Sequence, residues 1–176
     1  MGKRPARCYS YSKGPAYTRT QGRKNKGYIR GIPGSKLQIY DMGKKGGDFN
    51  AEVHMIGLEA CNIRHMALEA ARQAINRKLM KKVGRDNYHF RVRKHPHHVL
   101  RENKMMAFAG ADRMQDGMRK SFGKPTDRAA RIKANDELFT IRVNKENLPH
   151  AIAAMQSGVS KMPCPARVVV GKVEEE

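Results

Sequence analysis

Tyr-His-Phe-Arg-Val-Arg, residues 88–93, alternates apolar and polar side chains and decides how the surrounding chain folds. In an extended strand, successive side chains point to opposite faces. The two aromatic residues and the valine are therefore predicted to pack inward, while His89, Arg91 and Arg93 share the outer face. This stretch predicts a sheet that is apolar on one side and cationic on the other.

The segments before this strand predict one long helix and two short strands. Apolar residues recur at helical spacing through residues 59–83, and Gly84 follows as a stop signal. Further upstream, Leu37 and Ile39 alternate with polar neighbours, and residues 53–56 predict a second strand. Globular structure is therefore expected to begin at about residue 36.

The segments after this strand predict three more strands and a shorter helix. Residues 99–100 resume an extended segment, residues 139–143 alternate, and residues 167–170 predict a late strand. Residues 149–157 predict a helix that ends at Gly158. This order favours an α+β fold, a mixed sandwich with a mostly antiparallel sheet and two helices, over a repeated βαβ array.

The charge balance limits the possible partners. The 176 residues include 36 Lys and Arg against 16 Asp and Glu, a formal net charge of +20. Such an excess makes a compact chain repel itself, so it favours a polyanionic partner, most commonly nucleic acid. An anionic membrane surface is the alternative, but no apolar run approaches the roughly 18 residues of a membrane span. A DNA-coating protein would share the charge, so that alternative stays open at this point.

The length suits one domain with appended extensions. We predict a basic arm at residues 1–35, a single domain at residues 36–173 and an acidic tail at residues 174–176. No apolar segment follows the basic amino terminus, so no secretory signal is expected. The three cysteines form no Cys-x-x-Cys pair, which is typical of a reducing cytoplasm and not of a disulfide framework or a zinc site.

The arm has the composition of an RNA-binding extension. Residues 1–35 contain no acidic residue, glycines and prolines break any periodicity, and four tyrosines lie among the cations. Phosphates can balance the charges and exposed bases can stack on the rings. The alternative is a disordered basic tail. The predicted RNA-binding residues in this part of the chain are Lys3, Arg4, Arg7, Arg19, Arg23, Lys24, Lys26, Arg30 and Lys36.

Residues 101–127 predict a long flexible loop. A connection longer than about 12–15 residues without its own structure is uncommon unless it binds something. Methionines and glycines would let the loop adapt to a surface, and its cations can contact phosphates. The alternative is that residues 105–114 form another core helix. The predicted RNA-binding residues in this half are Arg91, Arg93, His95, His98, Arg101, Lys104, Arg113, Arg119, Lys120, Lys124 and Arg128.

A series of motifs carries a resemblance to a known family. In chain order they are Arg4-Pro5-Ala6-Arg7-Cys8-Tyr9, Arg30-Gly31-Ile32-Pro33-Gly34-Ser35-Lys36, Phe90-Arg91-Val92-Arg93, His95-Pro96-x-His98-Val99, Arg101-x-Asn103-Lys104-Met105, Ala109-Gly110-Ala111-Asp112-Arg113-Met114-Gln115-x-Gly117-Met118-Arg119 and Phe122-Gly123-Lys124-Pro125. This series resembles the large-subunit ribosomal protein family called L16 in bacteria and L10e in archaea and eukaryotes. Residues 15–19 together with residues 31–36, and the lack of a long carboxyl extension, resemble the archaeal type more than the eukaryotic one.

The resemblance implies a fold and a location. It implies the α/β hammerhead-like sandwich of that family, seated on large-subunit (23S-type) rRNA near the 5S rRNA and the aminoacyl-tRNA site. It also implies that the loop points toward the peptidyl-transferase region and the tRNA acceptor arm, with other large-subunit proteins as neighbours. On this reading the protein sits on the cytoplasmic ribosome, orders RNA and supports tRNA positioning and subunit maturation. It is not an enzyme, needs no cofactor and is not an obligate homo-oligomer.

Two alternative sites rest on histidines. His95, His97 and His98 could suggest zinc, but Pro96 extends the chain and a further ligand is needed. An RNA-modifying enzyme could use His89, His95 or His98 as acid and base. No nucleotide-binding, serine-hydrolase or metalloprotease motif accompanies them, and carboxylates are sparse.

Four acidic or basic residues are predicted to form ordinary ion pairs. Glu69 and Arg72 have the i, i+3 spacing of a helix surface pair. Asp112 and Asp116 are each expected to form an ion pair with a cation inside the loop.

Overall fold

The computed structural model describes residues 4–10, 14–19, 28–103 and 121–173. Within them, eight strands form two sheets, and every strand pair is antiparallel. Two helices accompany the sheets, so the predicted α+β class is confirmed. The strands are β1 Asp41–Gly43, β2 Ala51–Gly57, β3 Cys61–Arg64, β4 Tyr88–Val92, β5 His98–Glu102, β6 Lys124–Ile132, β7 Glu137–Val143 and β8 Ala166–Val173.

The larger sheet has five strands in the order β1-β4-β7-β2-β8. Its central strand β7 pairs with β4 through Tyr88 opposite Val143, and with β2 through Val53 opposite Ile141. In β4 the burial alternates as the sequence predicted, with Arg91 exposed between buried neighbours. One face of this sheet is therefore closed against the core.

Helices α1 (His65–Lys82) and α2 (Leu148–Val159) pack against each other and cover this face. Their close approach depends on Gly158, because a Cβ built there would lie 2.5 Å from Cδ1 of Ile75. The core between helices and sheet is apolar, and its largest members include Phe90 and Phe139, both fully buried. Neither helix has the length and apolar character that crossing a membrane requires, as far as the described residues extend.

The smaller sheet has three strands in the order β3-β6-β5. Strand β3 corrects the predicted helix, which begins at His65 and not at residue 59. Cys61 and Ile63 are buried residues of β3, and β3 pairs with β6 so that Ile63 lies opposite Ala130. Because this partner is distant in the sequence, local helical spacing could not reveal it.

Three further predictions need correction. The strand predicted at Leu37 and Ile39 is wrong, since the first strand is β1. The Glu69–Arg72 pair is confirmed, with a 2.8 Å hydrogen bond from Nε, but it is not a surface pair because Arg72 is only 9% exposed. Asp112 and Asp116, and the alternative helix at residues 105–114, lie outside the described residues.

The connection between β5 and β6 contains fewer residues than the predicted loop at residues 101–127. Strand β5 continues to Glu102 and β6 begins at Lys124. Both ends of the connection are therefore fixed on neighbouring strands of the smaller sheet.

Candidate nucleic-acid interface

The part of the arm at residues 14–19 lies along β5. The backbone N–H of Tyr17 donates to Nδ1 of His98 at 2.9 Å, and the Val99 N–H donates to the Tyr17 carbonyl at 2.9 Å. Because both bonds use the arm's backbone, they fix its path without using its cationic side chains. A basic extension is thereby laid on an otherwise exposed sheet edge.

Arginines at the smaller sheet hold other points of the amino-terminal region. Nη2 of Arg131 donates to the Gly14 carbonyl at 2.9 Å, and Nε of Arg128 donates to the Pro33 carbonyl at 2.8 Å. Nε of Arg4 lies 2.7 Å from a carboxylate oxygen of Glu102. Arg4 and Arg128, both predicted as RNA contacts, thus also bind the protein itself.

A buried pair anchors the point where the arm joins the domain. The Lys36 N–H donates to Nδ1 of His65 at 3.2 Å, and Nε2 of His65 contacts Oδ1 of Asp127. Since Nδ1 accepts a hydrogen bond, the ring proton lies on Nε2 and faces the carboxylate. His65 and Asp127 are 3% and 5% exposed, so this contact is shielded from solvent.

Aromatic rings and a guanidinium group meet where the β5–β6 connection leaves the sheet. The guanidinium carbon of Arg101 lies 3.9 Å from the ring centre of Phe122 and 4.6 Å from that of Tyr17. The two rings meet edge to face at 6.0 Å. Phe122 is 65% exposed, so an apolar ring faces outward beside a cation. This combination suits an unpaired base next to a phosphate.

Two further cation and ring pairs lie in the arm region. The Arg19 guanidinium is 4.4 Å from the Tyr28 ring centre, and that of Arg64 is 5.4 Å from Tyr9. Tyr28 is 71% exposed. The interleaving of tyrosines and cations in the sequence therefore becomes direct contact in space.

The predicted cationic face of β4 carries internal ion pairs. Nε of Arg91 lies 3.6 Å from Asp41, and Nη2 of Arg93 lies 3.1 Å from Glu137. The arginine side chains are 56% and 41% exposed. Each can still turn a donor outward, but its charge is already partly balanced within the protein.

Two of the predicted RNA contacts, His95 and His98, have lowered pKa values. Burial, followed by Arg131 and Arg101, lowers the pKa of His98. Burial, followed by His97 and Arg91, lowers the pKa of His95, which stacks on Tyr40 with ring centres 4.0 Å apart. Both rings therefore favour the neutral form. Across the described ranges, no three His, Cys, Asp or Glu side chains are grouped to hold a metal ion.

The remaining predicted contacts divide into two sets. Arg7, Arg30, Lys36 and Lys124 are exposed in the structure. The others fall outside the described residues; they are Lys3, Arg23, Lys24, Lys26, Lys104, Arg113, Arg119 and Lys120.

Sequence reasoning missed three contributors to this surface. Phe122 was named only within a family motif and not as an RNA contact, Arg131 was not named, and Arg64 was assigned to a helix interior. The alternation of Arg131 with buried Ala130 and Ile132 in β6 was the available signal for a strand residue facing the arm. Nothing local marks Phe122, because its partners are far away in the sequence.

An α+β core that carries a docked basic extension, with exposed rings set against arginines, suits a protein that binds structured RNA. The sequence profile described as ribosomal protein L16p/L10e matches residues 13–169. The chain is 49% identical over 169 residues to the large ribosomal subunit protein uL16 of Staphylothermus marinus, covering 96% of this chain and 94% of the relative. It is 49% identical to that of Hyperthermus butylicus, covering 100% and 97%, and 44% identical to that of Methanosphaerula palustris, covering 98% and 96%.

The chain therefore belongs to the ribosomal protein L16p/L10e family, as the motifs predicted, and to its archaeal type. It is a structural protein of the large ribosomal subunit, located on the cytoplasmic ribosome, and not an enzyme. Its partners include rRNA and other ribosomal proteins.

Proposed function

We propose that the chain binds large-subunit rRNA through three regions: the arm at residues 1–35, the Arg91 and Arg93 face, and the loop at about residues 101–127. The docked arm is the observation that supports this most strongly. Its path is fixed largely by backbone atoms, while Arg7, Arg19 and Arg30 remain exposed. Side chains arranged in this way are available to phosphates without further unfolding of the arm.

The proposed location is near the 5S rRNA and the aminoacyl-tRNA site. There the loop reaches toward the peptidyl-transferase region and the tRNA acceptor arm, and supports tRNA positioning and subunit maturation. Family membership supports this location. The exposed contact between Arg101 and Phe122, where the connection leaves the sheet, supports an RNA contact at the ends of the loop.

The proposed organisation has one domain at residues 36–173, with the arm before it and an acidic tail at residues 174–176. Its net charge of +20 is then balanced by RNA in the assembled subunit. Sucrose-gradient sedimentation of tagged protein tests this. We expect it to migrate with large subunits and to leave that fraction after ribonuclease treatment. Protein that remains in the soluble fraction at low salt would contradict the proposal.

The role of the loop can be tested separately with Arg113→Glu. Reversing this charge is expected to impair subunit maturation or tRNA accommodation, because a phosphate contact becomes a repulsion. Lys145→Glu is the matched control, since Lys145 is exposed just before α2 and belongs to none of the three proposed RNA-binding regions. Polysome profiles that are the same for both variants and for wild type would exclude a role for Arg113.

A competition filter-binding assay distinguishes rRNA binding from general coating of nucleic acid. Unlabelled large-subunit rRNA is expected to displace labelled rRNA at much lower concentration than duplex DNA of random sequence. Equal competition by the two would favour a DNA-coating protein.

A further inference from the structure

A cavity of about 260 Å³ lies between the arm and the domain. One wall is the arm turn, which we define as the 3-10 helix Ala6–Tyr9. The opposite wall is formed by residues 161–163 after α2, and the floor by β3 and the first turn of α1. The cavity is large enough for a planar group the size of a nucleobase.

The chemistry of the walls favours an anion that carries a flat ring. Tyr9 contributes an aromatic ring, and Ala67 and Met162 contribute apolar surface. Arg64 and Lys161 add two positive charges, and the described residues that line the cavity include no Asp or Glu. A bare phosphate would not use the ring and the apolar wall, and an apolar ligand would not use the cations. A nucleotide uses both.

A buried amide provides a second, independent indication of a ligand. Asn62 lines this cavity and an adjoining one of about 180 Å³, and it is only 5% exposed. Its Oδ1 atom is buried and accepts no hydrogen bond within the part of the chain that the structure describes. Buried carbonyl groups in proteins are nearly always paired, so this oxygen lacks a donor that a ligand can supply.

We propose that this cavity receives one unpaired nucleobase of the large-subunit rRNA. The base packs against the Tyr9 ring, its amino or imino group donates to the Asn62 carbonyl, and Arg64 and Lys161 contact the flanking phosphates. The proposal rests on the proposed rRNA binding and adds a site that recognises a base edge, whereas the exposed cations recognise the backbone.

The arm turn is the wall that moves to admit the base. Because Oδ1 of Asn62 is covered, a ligand atom reaches it only after a small shift of one wall. The backbone hydrogen bonds that the described residues show for the turn both lie within it, from Cys8 N to the Pro5 carbonyl and from Ser10 N to the Arg7 carbonyl. A shift of the turn leaves the hydrogen bonds of the sheet intact, and it requires the side-chain contacts of Arg4 with Glu102 and of Arg64 with the Tyr9 ring to rearrange.

Filling the cavity tests the proposal, with a matched control on the same helix. Ala67→Leu places a larger side chain in the cavity, whereas Ala70→Leu makes the same change at an exposed position one turn later in α1. Purified full-length wild type and both variants are bound to large-subunit rRNA. The accessible base edges are then mapped with dimethyl sulfate and carbodiimide.

We expect wild type and Ala70→Leu to protect an unpaired base that Ala67→Leu leaves as reactive as in RNA alone. Loss of the stacked base is expected to weaken binding by about tenfold or more. Identical protection with all three proteins would overturn the cavity proposal while leaving rRNA binding intact. Failure of wild type and Ala70→Leu to bind rRNA would instead overturn the proposed function, and the cavity's ligand with it.

Tyr9→Leu provides a second route if Ala67→Leu does not fold, as judged by its thermal transition. This change removes the ring in the arm and leaves the domain core untouched. It should expose the same base, and Tyr9→Phe should keep it protected. Protection that survives Tyr9→Leu would contradict the proposed stacking.

Discussion

The two sheets of this protein are stabilised in different ways. The five-stranded sheet is closed by apolar side chains such as Phe90 and Phe139, which belong to strands that sequence alternation alone identifies. The three-stranded sheet is instead covered by the arm, which hydrogen bonds attach to it. Tyr17 and His98 are separated by 81 positions in the sequence, and Gly14 and Arg131 by 117. The second region, the three-stranded sheet, shares the apolar core through residues such as Ile63 and Ile132, and its edge strand additionally carries the arm. The contrast shows that polar contacts between distant segments hold the arm on the second region.

The largest effect is expected in the five-stranded region. Phe139→Ala removes a fully buried ring that lies 5.8 Å from the ring of Phe90. The free energy of unfolding should fall by about 3–5 kcal/mol, because the lost burial leaves a cavity. Urea denaturation followed by circular dichroism measures this. Phe122→Ala is the control, with a loss below about 1 kcal/mol, since Phe122 is exposed. Equal losses would remove the distinction between the two regions.

A smaller effect is expected where the arm joins the domain. His65→Ala deprives the buried Asp127 carboxylate and the Lys36 N–H of a partner. The free energy of unfolding should fall by about 1–3 kcal/mol. His65→Gln, which can keep part of the hydrogen bonding, should restore part of that loss in the same urea experiment. A His65→Ala protein as stable as wild type would show that this anchor is unimportant.

The contact of the arm with β5 should depend on pH. The folded state lowers the pKa of His98 below its ordinary value near 6.5. The neutral ring therefore stabilises the fold fully above about pH 6.5, and this contribution is lost as the pH falls through the lowered value. Protonated Nδ1 cannot accept the Tyr17 N–H.

An NMR titration measures this dependence. The Tyr17 amide resonance should follow the His98 titration in wild type and should not follow it in His98→Gln. A His98 pKa above 6.5, or a Tyr17 amide that does not respond, would contradict the proposed contact.

The smallest effect is expected for an exposed ion pair on the five-stranded sheet. Nε of Arg142 lies 2.6 Å from Glu52, but the two side chains are 51% and 31% exposed. Solvent screens such a pair, so Arg142→Ala should change the free energy of unfolding by at most about 1 kcal/mol. Thermal unfolding at low and high salt checks this. A large, salt-sensitive loss would mean that polar contacts also stabilise the first region.

Much of the fold was predictable wherever a pattern repeats locally. Residues 88–93 and 139–143 alternate over a buried face, and α2 was placed to within two residues at each end. The start of α1 was not predictable, because Ile63 satisfies helical spacing as well as strand pairing. Only its partner Ala130, on a distant strand, determines which of the two forms.

The sequence predicted which types of residue form the candidate interface, but it did not predict which of them contact one another. The sequence indicated that tyrosines and cations intermingle in the arm, and the Arg19–Tyr28 contact has that character. It could not indicate that Arg128 donates to Pro33 or that Arg91 lies near Asp41, because these pairs depend on tertiary contacts. Local sequence specifies charge, whereas the folded chain determines which charges remain available to a partner.

Salt dependence of rRNA binding tests most directly whether the arm side is the RNA-binding surface. The double variant Arg30→Gln with Lys36→Gln is compared with Lys145→Gln with Arg167→Gln, which removes two exposed cations elsewhere. Affinity for large-subunit rRNA is measured across a range of salt concentrations. The slope of log K against log salt should flatten by about 1–2 units for the first variant and stay at the wild-type value for the second. Equal slopes for both variants, or a larger change in the second, would contradict the account.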